Sequence, residues 1–242
     1  MRYLGFAVAV AGIFLALGPL NVSQAGDDGL PHYPDLQTLS PSQLKIRKSG
    51  GQKLLRLSNT VVNLGDGPLE LFPVLDTSTE PDTTKAYQRV YRGDGSVDSE
   101  TPVGNFVFHP THLHWHLEGF ARYQLYTVAV GGGVGSPLSY SSDKVSFCII
   151  DVAQVDSSLT HSSGQTYTSC GANAIQGLSV GWGDTYLWNL AGQSIDITGL
   201  GNGDYWLVST ADPDNLLAET NNGNNQAAVK IRIRGNGVKI VP

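Results

Sequence analysis

The chain has 242 residues, 40% hydrophobic and 15% charged. An average soluble domain is about 25% charged, so a coiled coil, a long-helix protein and a polyelectrolyte tail are excluded. The net charge of −6 argues against a nucleic-acid partner bound through counterion release and gives a weak acidic field suited to a cationic substrate.

The first predicted element is an address. Arg2 precedes an apolar run from Tyr3 to Leu17, which Gly18 and Pro19 break, and small residues follow at Ser23 and Ala25. This is the pattern of a secretory signal peptide over residues 1–25. The apolar run, about 15 residues, is short for an uncleaved membrane anchor. The functional domain is expected over 26–242, in a protein that is secreted, extracellular or cell-surface, with no membrane attachment after cleavage. Export also decides how the cysteines read. Cys148 and Cys170 are the only two, and in an oxidising compartment they most simply form one disulfide. A metal-bound cysteine pair is the rival.

Residues 26–50 read as an extended arm. Strand-like runs follow at Leu54–Val61, Leu69–Leu75, Phe106–Phe108, Phe120–Val130, Val145–Ile150, Thr185–Trp188, Tyr205–Thr210 and Ala228–Ile233. The last is the clearest two-residue alternation. Gly, Asn, Asp and Ser cluster between the runs, as in Gly65-Asp66-Gly67, and no window shows a sustained helical period with caps. The fold class predicted is all-β, a β-sandwich with long loops, an extended N-terminal arm and little helix.

Four of the six histidines fall within eight residues, at His109, His112, His114 and His116. On a strand, alternate side chains share a face. His112, His114 and His116 are therefore predicted to project together, with Leu113, Trp115 and Leu117 turned to the core. The outer two Cα atoms would stand about 13 Å apart on a flat strand, so one ion reaches all three rings only if twist or a bulge draws them inward. Clustered neutral imidazoles suit Cu, Zn, Fe or Ni and leave coordination positions open. The His-Pro-x-His-Leu-His string is similar to a motif of multicopper oxidases, but those need further His-rich motifs and a His-Cys-His that this chain does not have. Nearer the C-terminus, Asp212-Pro213-Asp214-Asn215 and Glu219-Thr220-Asn221-Asn222-Gly223-Asn224-Asn225 crowd oxygen donors. They read either as turns with side-chain-to-backbone bonds or as ligands for Ca²⁺.

Past the histidine row come Lys144-Val145-Ser146-Phe147-Cys148, then Gln176-Gly177-Leu178-Ser179-x-Gly181, Asp184-Thr185-Tyr186 and Ile195-Asp196-Ile197-Thr198. In this order, and with His112-x-His114-x-His116 ahead of them, the chain resembles the catalytic domain of lysyl oxidases over most of 105–234 and more weakly over 34–75. The resemblance implies an amine oxidase that uses copper and a quinone built from its own side chains. His112, His114 and His116 then bind Cu(II). Lys144 and Tyr186 become lysyl tyrosylquinone. His109 matches a family histidine just ahead of the ligands, and its role stays open. The resemblance also implies a calcium site at Asp35, the backbone of Leu36, Glu219, Asn221, Asn224 and Asn225. Asn221 replaces a family Asp there, which removes one negative charge.

The residue types suit that chemistry. Cu(II) and O2 can oxidise a tyrosine ring, and a deprotonated lysine, its pKa lowered by burial or a nearby cation, can add to it. The finished quinone is an electron sink for an amine, yielding aldehyde, ammonia and hydrogen peroxide. Asp143 and Asp184 are base candidates by adjacency to Lys144 and Tyr186. Zn(II) substituting in the same site has no redox chemistry and would leave Tyr186 unmodified. The expected partners are O2 and primary amines, lysine side chains of extracellular proteins included. Thr111 stands where the animal enzymes have Cys, and the Ser-rich stretch from Ser157 to Thr168 lengthens the chain between Lys144 and Tyr186. The rivals are a non-enzymatic, metal-binding extracellular adhesion sandwich and a different metalloenzyme, such as a non-haem oxygenase or a superoxide dismutase. Only the amine oxidase needs both Lys144 and Tyr186.

Overall fold

The computed structural model describes residues 29–75, 82–142 and 145–242. The signal-peptide segment, Asp143 and Lys144 lie outside the described residues. Among the described residues there is no α-helix, and hence none long and apolar enough to cross a membrane.

The strands run β1 (Pro31–His32), β2 (Leu36–Thr38), β3 (Ser42–Ser49), β4 (Gln52–Asn63), β5 (Leu69–Val74), β6 (Thr83–Arg92), β7 (Val97–His109), β8 (His114–Val128) and β9 (Val134–Ser141). They continue as β10 (Val145–Phe147), β11 (Ala153–Gln154), β12 (Gln176–Leu178), β13 (Trp182–Tyr186), β14 (Ser194–Asp196), β15 (Gly203–Ala211), β16 (Gln226–Arg234) and β17 (Gly237–Ile240). One antiparallel sheet is ordered β12-β5-β6-β7-β8-β15-β16-β17, with β1 on β6 and both β9 and β10 on β8. The other is ordered β11-β13-β4-β14, with β2 and β3 also on β4. The expected all-β architecture with long loops is therefore present. The N-terminal arm is extended as expected, but β2 and β3 bind it into the second sheet.

The core follows from the alternation of the central strands. Leu55, Leu57 and Val61 of β4 are fully buried, as are Tyr123 and Leu125 of β8 and Ile231 and Ile233 of β16. These residues from both sheets belong to one apolar cluster. Strand β8 carries its histidines on a different phase from its core residues. His116 and Leu117 are both buried, Glu118 is exposed, and Phe120 and Ala121 are again both buried. The phase changes at Gly119, whose φ of +71° an L side chain rarely adopts.

The arm is held at a glycine turn. Asp66 N and Gly67 N donate to Tyr33 O, and Leu64 N donates to Asp35 O at 2.9 Å. A Cβ at Gly65 would stand 2.4 Å from Asp35 N, so only glycine lets the arm cross there. This fixes Asp35 over the loop that follows β15.

Cys148 and Cys170 form the expected disulfide, with Cα atoms 5.7 Å apart. The bridge closes a loop of sequence separation 22. Replacing both residues by Ser is expected to cost about 3 kcal/mol in the chain-entropy account, read from the midpoint of urea unfolding at constant slope. A midpoint equal to wild type would contradict it.

Candidate functional site

The histidine row does not lie on one continuous strand. Residues 110–113 form a turn between β7 and β8, and Leu113 takes a φ of +58°. His112 N and Leu113 N both donate to His109 O, at 3.0 and 2.8 Å. Leu113, read in sequence as core-facing, is instead 77% exposed, because the left-handed residue turns the chain through the point where alternation was expected. The turn also removes the 13 Å spacing problem. It folds His112 back over His116, whose Nε2 lies 3.4 Å from His112 Nδ1.

Four imidazoles gather at this hairpin end. His109 and His114 are cross-strand partners. The ring of His109 stacks on His112 at 4.3 Å and on His116 at 4.9 Å, and His114 lies 4.9 Å from His116 and 5.4 Å from His112. The ligand atoms of His109, His112 and His116 all fall within 4.8 Å of one another. Sequence reasoning left His109 open; cross-strand pairing is what brings it in. His116 Nδ1 faces Ser146 Oγ at 3.2 Å, which orients the ring and leaves Nε2 toward the cluster. Burial lowers the pKa of His112 and His114, and neighbouring histidines lower them further. Burial first, then the other three imidazoles, takes His116 down to about 3. The rings are thus held neutral, the form that ligates a metal.

These depressed values carry a stability consequence with a definite sign. A base whose folded pKa lies below its unfolded value of 6.5 stabilises the fold above pH 6.5, and that contribution is lost as pH falls toward 3. The metal-free protein is expected to melt at progressively lower temperature between pH 6.5 and 4, and His116→Gln to flatten that slope. An identical slope in the variant would contradict the assignment.

A cavity of about 400 Å³ opens over His109, His112 and His116, with Ser142, Val145 and Ser146 in its wall. Ser142 and Val145 are the described residues on either side of Asp143 and Lys144. Tyr186, the last residue of β13, is buried beside the cluster. Its ring packs on Phe147 at 3.8 Å and meets His116 edge-on at 6.3 Å. Its hydroxyl accepts from Cys148 N at 2.5 Å and donates to Cys148 O at 3.2 Å. Burial, followed by the charge of Asp184, pushes the phenol pKa up.

The motif residues between Lys144 and Tyr186 sew these parts together. Gln176 is 1% exposed; its Nε2 donates to Trp115 O at 2.8 Å and its Oε1 accepts from Ile149 N at 3.0 Å. Trp115 N donates to Cys170 O at 2.9 Å. The histidine strand, the disulfide and the Tyr186 partner segment are therefore one hydrogen-bonded unit. Asp151, also 1% exposed, accepts from Ser179 N, Ser179 Oγ, Thr166 N and Tyr167 N. It pins the end of the Ser-rich insertion. Asp184 is buried, and burial raises its pKa well above the ordinary carboxylate range.

The oxygen-rich loop meets the N-terminal arm. Leu36 N donates to Glu219 Oε2 at 2.7 Å, Asn225 Nδ2 donates to Glu219 Oε1 at 2.7 Å, and Asn224 Nδ2 donates to both Asp35 oxygens at 3.0 Å. The amide oxygens Asn224 Oδ1 and Asn225 Oδ1 are buried without a partner. Two carboxylates and two orphaned amide oxygens fit a hard cation. Asn221 is exposed, and its Oδ1 is taken by Gly223 N at 2.9 Å. Burial raises Glu219 to about 7.

Against known proteins, the family model described as Lysyl oxidase matches residues 85–242. Lysyl oxidase homolog 4 of Mus musculus is 31% identical over 147 residues, which are 60% of this chain and 18% of that protein. Lysyl oxidase homolog 2 of Xenopus laevis is 29% identical over 166 residues, 65% of this chain and 20% of that protein. Protein-lysine 6-oxidase of Rattus norvegicus is 30% identical over 151 residues, 61% of this chain and 34% of that protein. The chain thus spans between about a fifth and a third of the length of these curated relatives.

Proposed function

The chain belongs to the lysyl oxidase family, and from that premise we propose that it is an exported copper-dependent amine oxidase. In this reading residues 1–25 are its signal peptide and residues 26–242 its catalytic domain. It oxidatively deaminates primary amines, lysine side chains of extracellular proteins among them, and releases aldehyde, ammonia and hydrogen peroxide. The observation that carries the reading is Tyr186, buried and edge-on to His116 within one hydrogen-bonded unit. Ser142 and Val145, which flank Asp143 and Lys144 in sequence, line the cavity over His116 and support it.

The donor chemistry fits copper, since imidazole nitrogens suit a borderline ion and these rings are neutral. His112, His114 and His116 would hold the metal, with His109 stacked on two of them. Bound there, copper would supply, with O2 as the terminal oxidant, the redox chemistry for converting Tyr186 and Lys144 into one quinone cofactor, the electron sink for the substrate amine. The chain's own residues do the rest. Ser146 orients His116, Phe147 keeps water from the Tyr186 ring, and Cys148 holds the phenol oxygen in place. Zn(II) in the same imidazoles would leave Tyr186 a phenol. Copper-loaded protein given a primary amine is expected to release peroxide and aldehyde in equal amounts; metal binding without either product would favour the adhesion-module reading.

Calcium at Asp35, Leu36 O, Glu219, Asn224 and Asn225 would tie the arm to the loop after β15, with exposed Asn221 at its rim. In the cation-free protein, Glu219 with its folded pKa near 7 against 4.5 stabilises the fold fully below pH 4.5. It loses that contribution as pH rises through 7. A divalent cation reverses the loss by pairing with the carboxylate. EGTA is therefore expected to lower the melting temperature, and by more at pH 8 than at pH 5. An unchanged melting curve at pH 8 would dispose of the site.

A further inference from the structure

Residues 36–65 hold five cations, Lys45, Arg47, Lys48, Lys53 and Arg56, and no carboxylate, in a chain whose net charge is −6. Strand register decides where three of them stand. On β4, Leu54 is opposite Arg47 of β3 on one side and Asp196 of β14 on the other, and Arg56 is opposite Lys45 and Ser194. Directly paired residues share a face of the sheet. Ile46 and Leu55 pair on the other face and are buried in the core. The rows Asp196–Leu54–Arg47 and Ser194–Arg56–Lys45 therefore look outward. Gln52, Leu54, Ser194 and Asp196 of this outward face line the cavity over His109, His112 and His116. The cavity wall thus continues directly into a basic shelf.

The shelf is built around Trp188, which follows Tyr186 by two residues. Lys45 Nζ stands 4.3 Å from the centre of the indole and the Arg47 guanidinium 5.4 Å from it. Arg56 Nε donates to Trp188 O at 2.5 Å, and its Nη2 donates to Leu190 O. Among the described residues, no carboxylate forms an ion pair with any of the three cations. Like charges set directly opposite, as Lys45 and Arg56 are, destabilise a sheet. The indole face offsets part of that cost, and an anion laid on the shelf would offset more. Across Leu54, Asp196 is held by Gln52 Nε2 at 2.8 Å and Thr198 N at 2.9 Å. It is the carboxylate of the described cavity lining and suits an arriving ammonium group. Two strand spacings put about 10 Å between Asp196 and Arg47. We propose that this surface selects the substrate: peptidyl lysine with Asp or Glu within about three residues, the reach of an extended chain over that distance. The lysine enters the cavity past Asp196, and the neighbouring carboxylates lie on Lys45 and Arg47. Continuity of the shelf with the cavity wall favours the substrate's own flank over a separate polyanion.

The proposal rests on the amine-oxidase reading for the fate of the lysine but not for the carboxylates beside it, so its test begins with binding and needs no copper. Two fluorescent peptides differ only in the residues flanking one lysine, Glu in one and Gln in the other. The chain's overall negative charge works against the Glu peptide, so a preference for it must come from a local patch. With the metal-free full chain, anisotropy is expected to show the Glu peptide binding about tenfold tighter at low salt. That advantage is expected to vanish by about 0.5 M salt. Equal affinities at low salt overturn the inference. Lys45→Gln combined with Arg47→Gln is expected to remove the advantage. Should that pair not fold, Arg47→Gln alone, at an exposed position, is expected to cut it to about threefold. A full advantage retained in a folded variant overturns the inference. In copper-loaded wild type, the Glu peptide is expected to show a kcat/KM about tenfold higher, carried by KM, because the shelf binds ground and transition states alike. A difference confined to kcat would contradict the shelf. A protein that prefers the Glu peptide yet oxidises neither would count against the amine-oxidase reading and leave the shelf in place. One that oxidises and binds both equally would leave that reading in place and remove the shelf. A sulfated polysaccharide that binds these cations while the peptides are not distinguished would assign them to a polymer and overturn the inference.

Discussion

Tyr186→Phe is expected to abolish peroxide release from primary amines in the copper-loaded protein, to the uncatalysed background, a loss of at least about 10⁶-fold. The loss is this large because the quinone carries the chemistry and the rest of the protein only binds and orients. The substitution is gentle on the fold. Phe keeps the packing on Phe147 and the edge toward His116, so copper binding is expected to survive. What is lost is the hydroxyl that pairs with both backbone groups of Cys148. An amide left unpaired in a buried position costs about 1–3 kcal/mol, so a modest drop in unfolding free energy accompanies the loss of activity. Peroxide production unchanged by the substitution would remove the quinone from the account.

His116→Ala has the second largest expected effect. His116 is the most buried of the four imidazoles and touches the rings of His109, His112 and His114. Losing a group one shell out from a metal typically costs 10–100-fold in affinity; losing this direct ligand is expected to cost at least about 100-fold. His112→Ala and His114→Ala are expected to match it. His109→Ala, which removes a stacked neighbour, is expected to cost about tenfold. Copper titrations of the four variants decide the ligand set. A His109→Ala loss as large as that of His116→Ala, with His114→Ala near wild type, would reassign the third ligand to His109, in keeping with the tightest convergence of nitrogen atoms.

How much of this could be read in the sequence depended on which physical signal each part carried. β16 was legible because its side chains alternate, with Ile231 and Ile233 buried between less buried neighbours, and β4 and β15 were legible as apolar runs covered on both faces, Leu57 to Asn59 and Leu207 to Ser209 being buried without a break. β6 was not among the strand runs read. Its outward residues Lys85, Tyr87, Arg89 and Tyr91 dilute the apolar pattern, and a buried polar residue, Gln88, sits on its inner face. Gln88 is there to bond Ala218 through both its donor and its acceptor, a tertiary requirement that periodicity cannot express. The disulfide was legible by counting. The histidine row was legible as a metal cluster but not in its geometry. The strand alternation was carried through residues 110–113, where Leu113 takes a left-handed turn that favours no particular reading of a leucine. The arm-to-loop contacts, Leu36 N on Glu219 and Asn224 on Asp35, were legible only through the resemblance, since nothing local links an arm to a loop so distant in sequence.

The central claim is that Lys144 and Tyr186 are the two halves of one cofactor, and copper-loaded protein can be asked directly. Reconstitute the full chain with copper in air, digest it, and sequence the Tyr186 peptide by mass spectrometry. The expected product is a single branched peptide in which the Lys144 side chain is bonded to the oxidised ring of Tyr186. Two linear peptides with unmodified Lys144 and Tyr186, from protein that has bound its copper, would contradict the account.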